Sequence, residues 1–119
     1  MAAGVVQIPF YATLFRGDRF AEAIKEIAPV SLRYGASRYS VHRNRDDEYK
    51  FLMMATFEGK PEFEAYWYGP EFNDWRAIHS SWYQVPLLYT WADLVIEGGL
   101  GMAPVEDVLA PAEARSPSP

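Results

Sequence analysis

None of the 119 residues is cysteine. That absence removes disulfides, thiolate metal centres and a cysteine nucleophile from consideration. Basic residues are also scarce: 11 Lys and Arg stand against 16 Asp and Glu, for a net charge of −5 and a pI near 4.9. A general nucleic-acid binder would carry the opposite balance. No apolar run approaches the ~20 residues that a membrane helix needs. The first ten residues, Met1 to Phe10, lack the basic start of a signal peptide. No phosphate-cradling glycine loop, dinucleotide fingerprint, nucleophile elbow or metal-ligand spacing occurs. These absences lead to the expectation of a soluble, cytoplasmic protein with no bound metal, no nucleic acid and no membrane partner.

What the chain has in excess is aromatic surface. Half its residues are hydrophobic and 23% are charged, which suits one folded domain. A chain of this size can bury roughly two-thirds of its unfolded surface without covalent staples. Phe, Tyr and Trp make up 16% of it. All lie between Phe10 and Trp91, and they crowd most densely from Phe63 to Trp91.

Period-2 alternation predicts a strand over Val5–Phe15, with Val6, Ile8, Phe10, Ala12 and Leu14 on one face. Pro9 has no N–H and so marks an edge or a bulge. Asp18 is a candidate N-cap for a helix carrying Phe20, Ala23, Ile24, Ile27 and Ala28. Pro29 ends or kinks that helix, and Gly35 marks the exit. A second strand is predicted over Ala36–Arg45, with Tyr39 and Val41 on one face and Arg38, Ser40 and His42 on the other. Tyr49–Phe57 is the third strand, apolar on both faces and therefore central. Pro61 opens a helix bearing Phe63, Tyr66 and Trp67. Pro70 opens another, on which Trp75, Ile78, His79 and Trp82 share a face. Pro86–Glu97 is the last strand.

The order is β-α-β-β-α-β, an α+β ferredoxin-like arrangement of four antiparallel strands with its helices on one side. The domain spans residues 1–97. Residues 98–119, with four prolines, three glycines and no aromatic residue, form a Pro/Gly/Ala-rich tail expected to be flexible. Helices on one side leave the other sheet face bare, and apolar residues on it point to a ligand cavity or a partner. A homodimer with facing sheets is the economical solution.

The stretch from Phe51 to Trp67, followed by Pro70–Tyr83 and a final strand, resembles the dimeric α+β barrel superfamily, in its antibiotic-biosynthesis-monooxygenase-like branch. There a strand ends in an aromatic, and a helix begins with another about six residues later. Phe57 and Phe63 match that spacing. The likeness covers roughly residues 5–97 as an order of elements. The quinone-forming members present an Asn and a Trp where this chain has Met53 and Phe57. The superfamily includes cofactor-independent monooxygenases, polyketide cyclases, haem-degrading enzymes and proteins of unknown role.

Two histidines are the candidate bases. His79 lies among tryptophans on its helix; a core histidine bonded to a backbone carbonyl is the competing role. His42 shares a strand face with Arg38 and Ser40, a polar wall for a carboxylate or phenolate, or else a solvated edge. Tyr11, Tyr39, Trp67, Trp75 and Trp82, with Tyr89 and Trp91, supply rings for a flat ligand or for core packing. The leading expectation is a small dimeric enzyme of monooxygenase or polyketide cyclase type. It would act on a hydrophobic aromatic or polyketide-like small molecule, with cofactor-independent oxygenation as the reaction. Two other readings stand beside it: a non-catalytic ligand-binding or structural dimer, and a haem-binding or haem-degrading protein. No cofactor is required, and haem, through His79, is the one left open.

Overall fold

The computed structural model describes residues 3–101. Strand β1 is Gly4–Tyr11 and helix α1 is Gly17–Ile27. A 3-10 helix over Pro29–Tyr34 leads into β2, Ala36–Arg43. β3 is Lys50–Phe57, α2 is Lys60–Trp67, α3 is Pro70–His79 and β4 is Thr90–Asp93. The strands form one antiparallel sheet in the order β2-β3-β1-β4. This is the α+β ferredoxin-like arrangement, with its second helix broken in two at Gly69-Pro70. Among the described residues, no helix is long and apolar enough to cross a membrane. The tail expected over 98–119 lies, from residue 102 onward, outside the described residues.

Register decides what faces what. Val6 pairs with Ala55, Ile8 with Met53 and Phe10 with Phe51. All six side chains are buried, beneath Phe20, Ile24 and Ile27 of α1 and Phe63, Tyr66, Phe72 and Trp75 of α2 and α3. The layer is built of rings in contact. Phe20 sits 5.0 Å from Phe51 and 5.1 Å from Phe10, and Trp75 stacks on Tyr83 at 5.8 Å. Offset and edge-on pairs of this kind add about 0.5–1.5 kcal/mol each beyond their area. Two rings also carry polar anchors. The Trp75 indole N–H donates to the Ala23 carbonyl at 2.9 Å, and the Tyr66 hydroxyl donates to the Ile27 carbonyl at 2.7 Å. Ile27 is the last residue of α1, where carbonyls lack helical partners, whereas the Ala23 carbonyl takes the indole in addition to its place in the helix ladder. Gly35, at φ 98°, closes the 3-10 helix in a conformation that costs other residues a Cβ clash.

Several boundaries differ from the sequence expectation. β1 ends at Tyr11, not Phe15, because the Thr13 amide leaves the ladder to donate to the Trp82 carbonyl. Leu14 is exposed rather than on the buried face, and Phe15, at φ 67°, forms an exposed turn. Asp18 is not an N-cap. It lies in the first turn of α1, with its carboxylate 3.0 Å from Arg43. α3 stops at His79, so Trp82 falls in the following turn, and Ile78 points outward. The last strand is the largest difference. Residues around Tyr83 bridge Ala12, the chain then leaves the sheet, and pairing resumes only at Thr90–Asp93 against Gly4–Gln7. Pro9 sits in the resulting gap, and Pro86 sits in the departing loop. Neither can donate to a ladder.

Candidate functional site

Among the described residues, no helix covers the other sheet face. Alternation along β1 and β3 places Val5, Gln7, Pro9 and Tyr11 beside Thr56, Met54, Leu52 and Lys50. From β2, Arg38 stands beside Thr56, Ser40 beside Met54 and His42 beside Leu52. The result is an apolar strip, Pro9–Leu52 with Val5 and Met54, bordered by a polar wall.

Two concavities indent this face, and His42 lines both. One, of about 380 Å³, is formed by Pro9, Tyr11, His42, Lys50 and Leu52 together with neighbouring backbone. The other, of about 400 Å³, is formed by Val5, Arg38, Ser40, Met54 and Thr56, and Leu94 and Glu97 reach over it. Glu97 forms an ion pair with Arg38. The segment after β4 therefore crosses from one edge of the sheet to the other.

The polar groups of the face are largely engaged. The Tyr11 hydroxyl donates to Asp47 Oδ2 at 2.8 Å. This bond, with the Tyr49 amide on the other oxygen, holds the Asp47 carboxyl below the usual carboxylate range. Asp47 is positioned by the β2–β3 turn, where Asn44 Oδ1 accepts the amides of Asp46 and Asp47 at 2.7 and 2.8 Å. The Lys50 ammonium lies 5.5 Å from the Tyr11 ring centre. His42 is exposed, with its ring between the two concavities, where it can accept a proton from a bound molecule.

Of the candidate residues, Tyr11, Arg38 and His42 share this face, Tyr11 at one concavity, Arg38 at the other and His42 at both. Tyr39, opposite Ala55, points to the helix side at the β2 edge but borders the second concavity. Trp67 and Trp75 are buried in the helix-side core. His79 and Trp82 meet each other, at 4.8 Å, on the outside of the helix layer. His79 does donate to a backbone carbonyl, that of Trp75, at 2.9 Å. Its surroundings do not suit haem. The concavities beside it are lined by Glu22, Glu26, Glu71 and Asp74 with Arg19 as the one cation, so haem propionates would meet carboxylates. Among the described residues no group of three His, Asp or Glu side chains could hold a metal ion.

Sequence reasoning did not find Lys50, Asp47 or Glu97 as members of the face. Strand pairing contains the signal for Lys50, which follows once Tyr11 and β3 are set in register. Asp47 and Glu97 lie outside strands and carry no periodic signal.

No family model matches the sequence, and no curated protein matches it. Solved structures match the fold. A proposed antibiotic biosynthesis monooxygenase from Nitrosomonas europaea superposes with a TM-score of 0.71 at 17% identity, over 82% of this chain and 94% of its own. Another, from Bordetella bronchiseptica, gives 0.71 at 13% identity over 81% of this chain and all of its own (100%). A single-residue variant of SnoaB, a cofactor-independent oxygenase from Streptomyces nogalater, gives 0.68 at 14% identity over 86% and 100%. The chain has the antibiotic biosynthesis monooxygenase-type fold, and at these identities the likeness is one of fold.

Proposed function

We propose that the open sheet face binds a flat, hydrophobic phenolic or polyketide-like molecule, and that His42 is the base for its cofactor-independent oxygenation. One observation carries this reading: His42 stands at the junction of two concavities of about 380 and 400 Å³, against the apolar strip of Pro9, Leu52 and Met54. Pockets for small ligands combine such apolar floors with few polar groups. A second copy of the chain, facing sheet to sheet, would cover the strip and close both concavities.

In the reaction, His42 takes a proton from the substrate. The resulting anion delocalises its charge over the ring and reacts with dioxygen. A carbon-bound peroxide forms, a second C–H proton is lost, and the O–O bond breaks. The CH₂ group becomes a carbonyl, and the other oxygen atom leaves as water. Lys50 stands where its ammonium favours the substrate anion.

Oxygen uptake with an anthrone-type phenol tests the proposal. Uptake by the wild type, reduced about 10²–10⁴-fold in His42→Ala, is expected. No uptake with a broad phenol panel, or an unaffected variant, refutes it.

A second reading is favoured by a different observation. Tyr11 and Arg38, the natural donors to a substrate oxyanion, are already engaged by Asp47 and Glu97. A non-catalytic dimer that only binds the same ligand class needs no free donor. Saturable quenching of Trp fluorescence by the phenol without oxygen consumption identifies that case.

A further inference from the structure

His79 lies in the helix layer, away from the open sheet face, and the reaction above does not use it. The residue is only 7% exposed. The Trp75 carbonyl can only accept, so the ring nitrogen Nδ1, 2.9 Å away, carries the hydrogen. In the neutral imidazole, Nε2 then holds a lone pair. Among the described residues, no side-chain nitrogen or oxygen is both fully buried and without a partner. Nε2, which has no partner among the described residues, is therefore not sealed from the surface. Two indoles hold the imidazole in place. Trp75 packs on it at 5.0 Å and Trp82 at 4.8 Å, edge to face.

His79 borders two concavities between α1 and α3. One, of about 380 Å³, is bordered by Arg19, Glu22, Glu26 and Trp82. The other, of about 220 Å³, is bordered by Glu26, Val30, Glu71, Asp74 and Ile78. Glu26 is common to both. Glu22 is paired with Lys25 at 2.7 Å, and Glu71 accepts the Tyr34 hydroxyl. Glu26 and Asp74 form no ion pair among the described residues. The groove thus combines a fixed acceptor nitrogen, an uncommitted carboxylate and an indole wall. An anion would meet carboxylates there, and a divalent metal would find too few ligands.

We propose that the α1–α3 groove is a binding site for a protonated primary amine carried on a flat apolar group. One N–H of the ammonium donates to His79 Nε2 and another to the Glu26 carboxylate, and the apolar group rests on Trp82. The ammonium supplies the several donors that two acceptors demand, and its charge offsets the local acidity. The site is independent of the sheet-face reaction.

The test uses the whole chain with benzylamine as the probe and benzyl alcohol as its neutral counterpart. Ring-nitrogen NMR signals of His79 and the indole signal of Trp82 are followed during titration. Benzylamine is expected to shift both saturably in the millimolar range. Benzyl alcohol, lacking the charge, binds about three- to tenfold more weakly. Glu26→Gln, at an exposed position, weakens benzylamine by a similar factor and leaves benzyl alcohol unchanged. His79→Gln weakens benzylamine further; should that variant fail to fold, the Glu26 substitution and the alcohol comparison decide. Equal binding of amine and alcohol, an unaffected Glu26→Gln, or no shift of the His79 signals overturns the proposal.

Discussion

Replacing Tyr66 by Phe removes one oxygen atom from the middle of the helix layer and leaves the ring in place. The residue is fully buried. Its ring contacts with Phe72, Phe57 and Tyr34, at 5.0, 5.9 and 6.0 Å, survive the change. What is lost is the 2.7 Å bond to the carbonyl of Ile27, the last residue of α1. A neutral hydrogen bond is worth about 0.5–1.5 kcal/mol net, and a buried carbonyl left unpaired raises the cost to roughly 1–3 kcal/mol. For a domain of this size each kcal/mol moves Tm by about 4–8 °C. The same bond has a pH signature. Burial pushes the Tyr66 phenol far above its ordinary value, which is about 10. The folded chain keeps the proton where the unfolded chain releases it. The stabilisation is therefore complete below about pH 10 and is lost as pH rises from there through the folded-state value. Tyr83, raised by burial, and Tyr34, raised by its bond to Glu71, titrate alike in both proteins and cancel in the difference. Urea unfolding followed by circular dichroism at pH 7 and at about pH 11 reads the gap between wild type and Tyr66→Phe. The gap should be about 1–3 kcal/mol at pH 7 and should shrink in alkali. No loss at neutral pH, or a gap that stays constant, refutes the reasoning.

Leu52→Glu places a charge between Pro9 and His42 on the open face. Leu52 is only half-buried, so the folded chain tolerates the change, while a sheet-to-sheet dimer would bring like charges together at a cost of several kcal/mol. Sedimentation velocity should show a dimer weakened at least about tenfold; unchanged sedimentation argues against that face as the contact. Gly4→Ala puts a Cβ 2.2 Å from Cζ2 of Trp91, whose ring stacks on Phe63. The indole must move, at a cost of about 1–3 kcal/mol, seen as a lower urea midpoint and altered Trp fluorescence.

The strand pattern was legible wherever one local period governed both faces. Phe51, Met53, Ala55 and Phe57 against Leu52, Met54 and Thr56 gave β3 its centrality and its two faces. Arg38, Ser40 and His42 were grouped correctly by alternation alone. Local pattern failed where distant residues set the boundary. Leu14 and Phe15 continue the strand-like run of β1, yet the Thr13 amide and hydroxyl bind the carbonyls of Trp82 and Ser81, and the chain turns. The candidate site divides along the same line. Trp75 looks like ligand-box material in sequence, but its indole N–H finds a buried acceptor 52 positions away, and it becomes core. Tyr11 meets Asp47 across 36 positions and Arg38 meets Glu97 across 59, pairings that no periodicity announces.

Among the described residues, the gap between the Tyr83 bridge and β4 leaves Ile8–Phe10 without a strand partner on that side of β1. A bare strand edge ordinarily recruits strands from other molecules. Here its middle residue is Pro9, which offers no amide to a newcomer. The opposite edge, β2, carries a bulge between Ala36 and Arg38 and the charged side chains of Arg38 and Arg43. The β2 margin and the open stretch of β1 beside β4 thus both discourage the pairing of a further strand. At these two places open-ended strand pairing is discouraged at the level of single backbone amides. A twofold contact between sheet faces, by contrast, closes on itself.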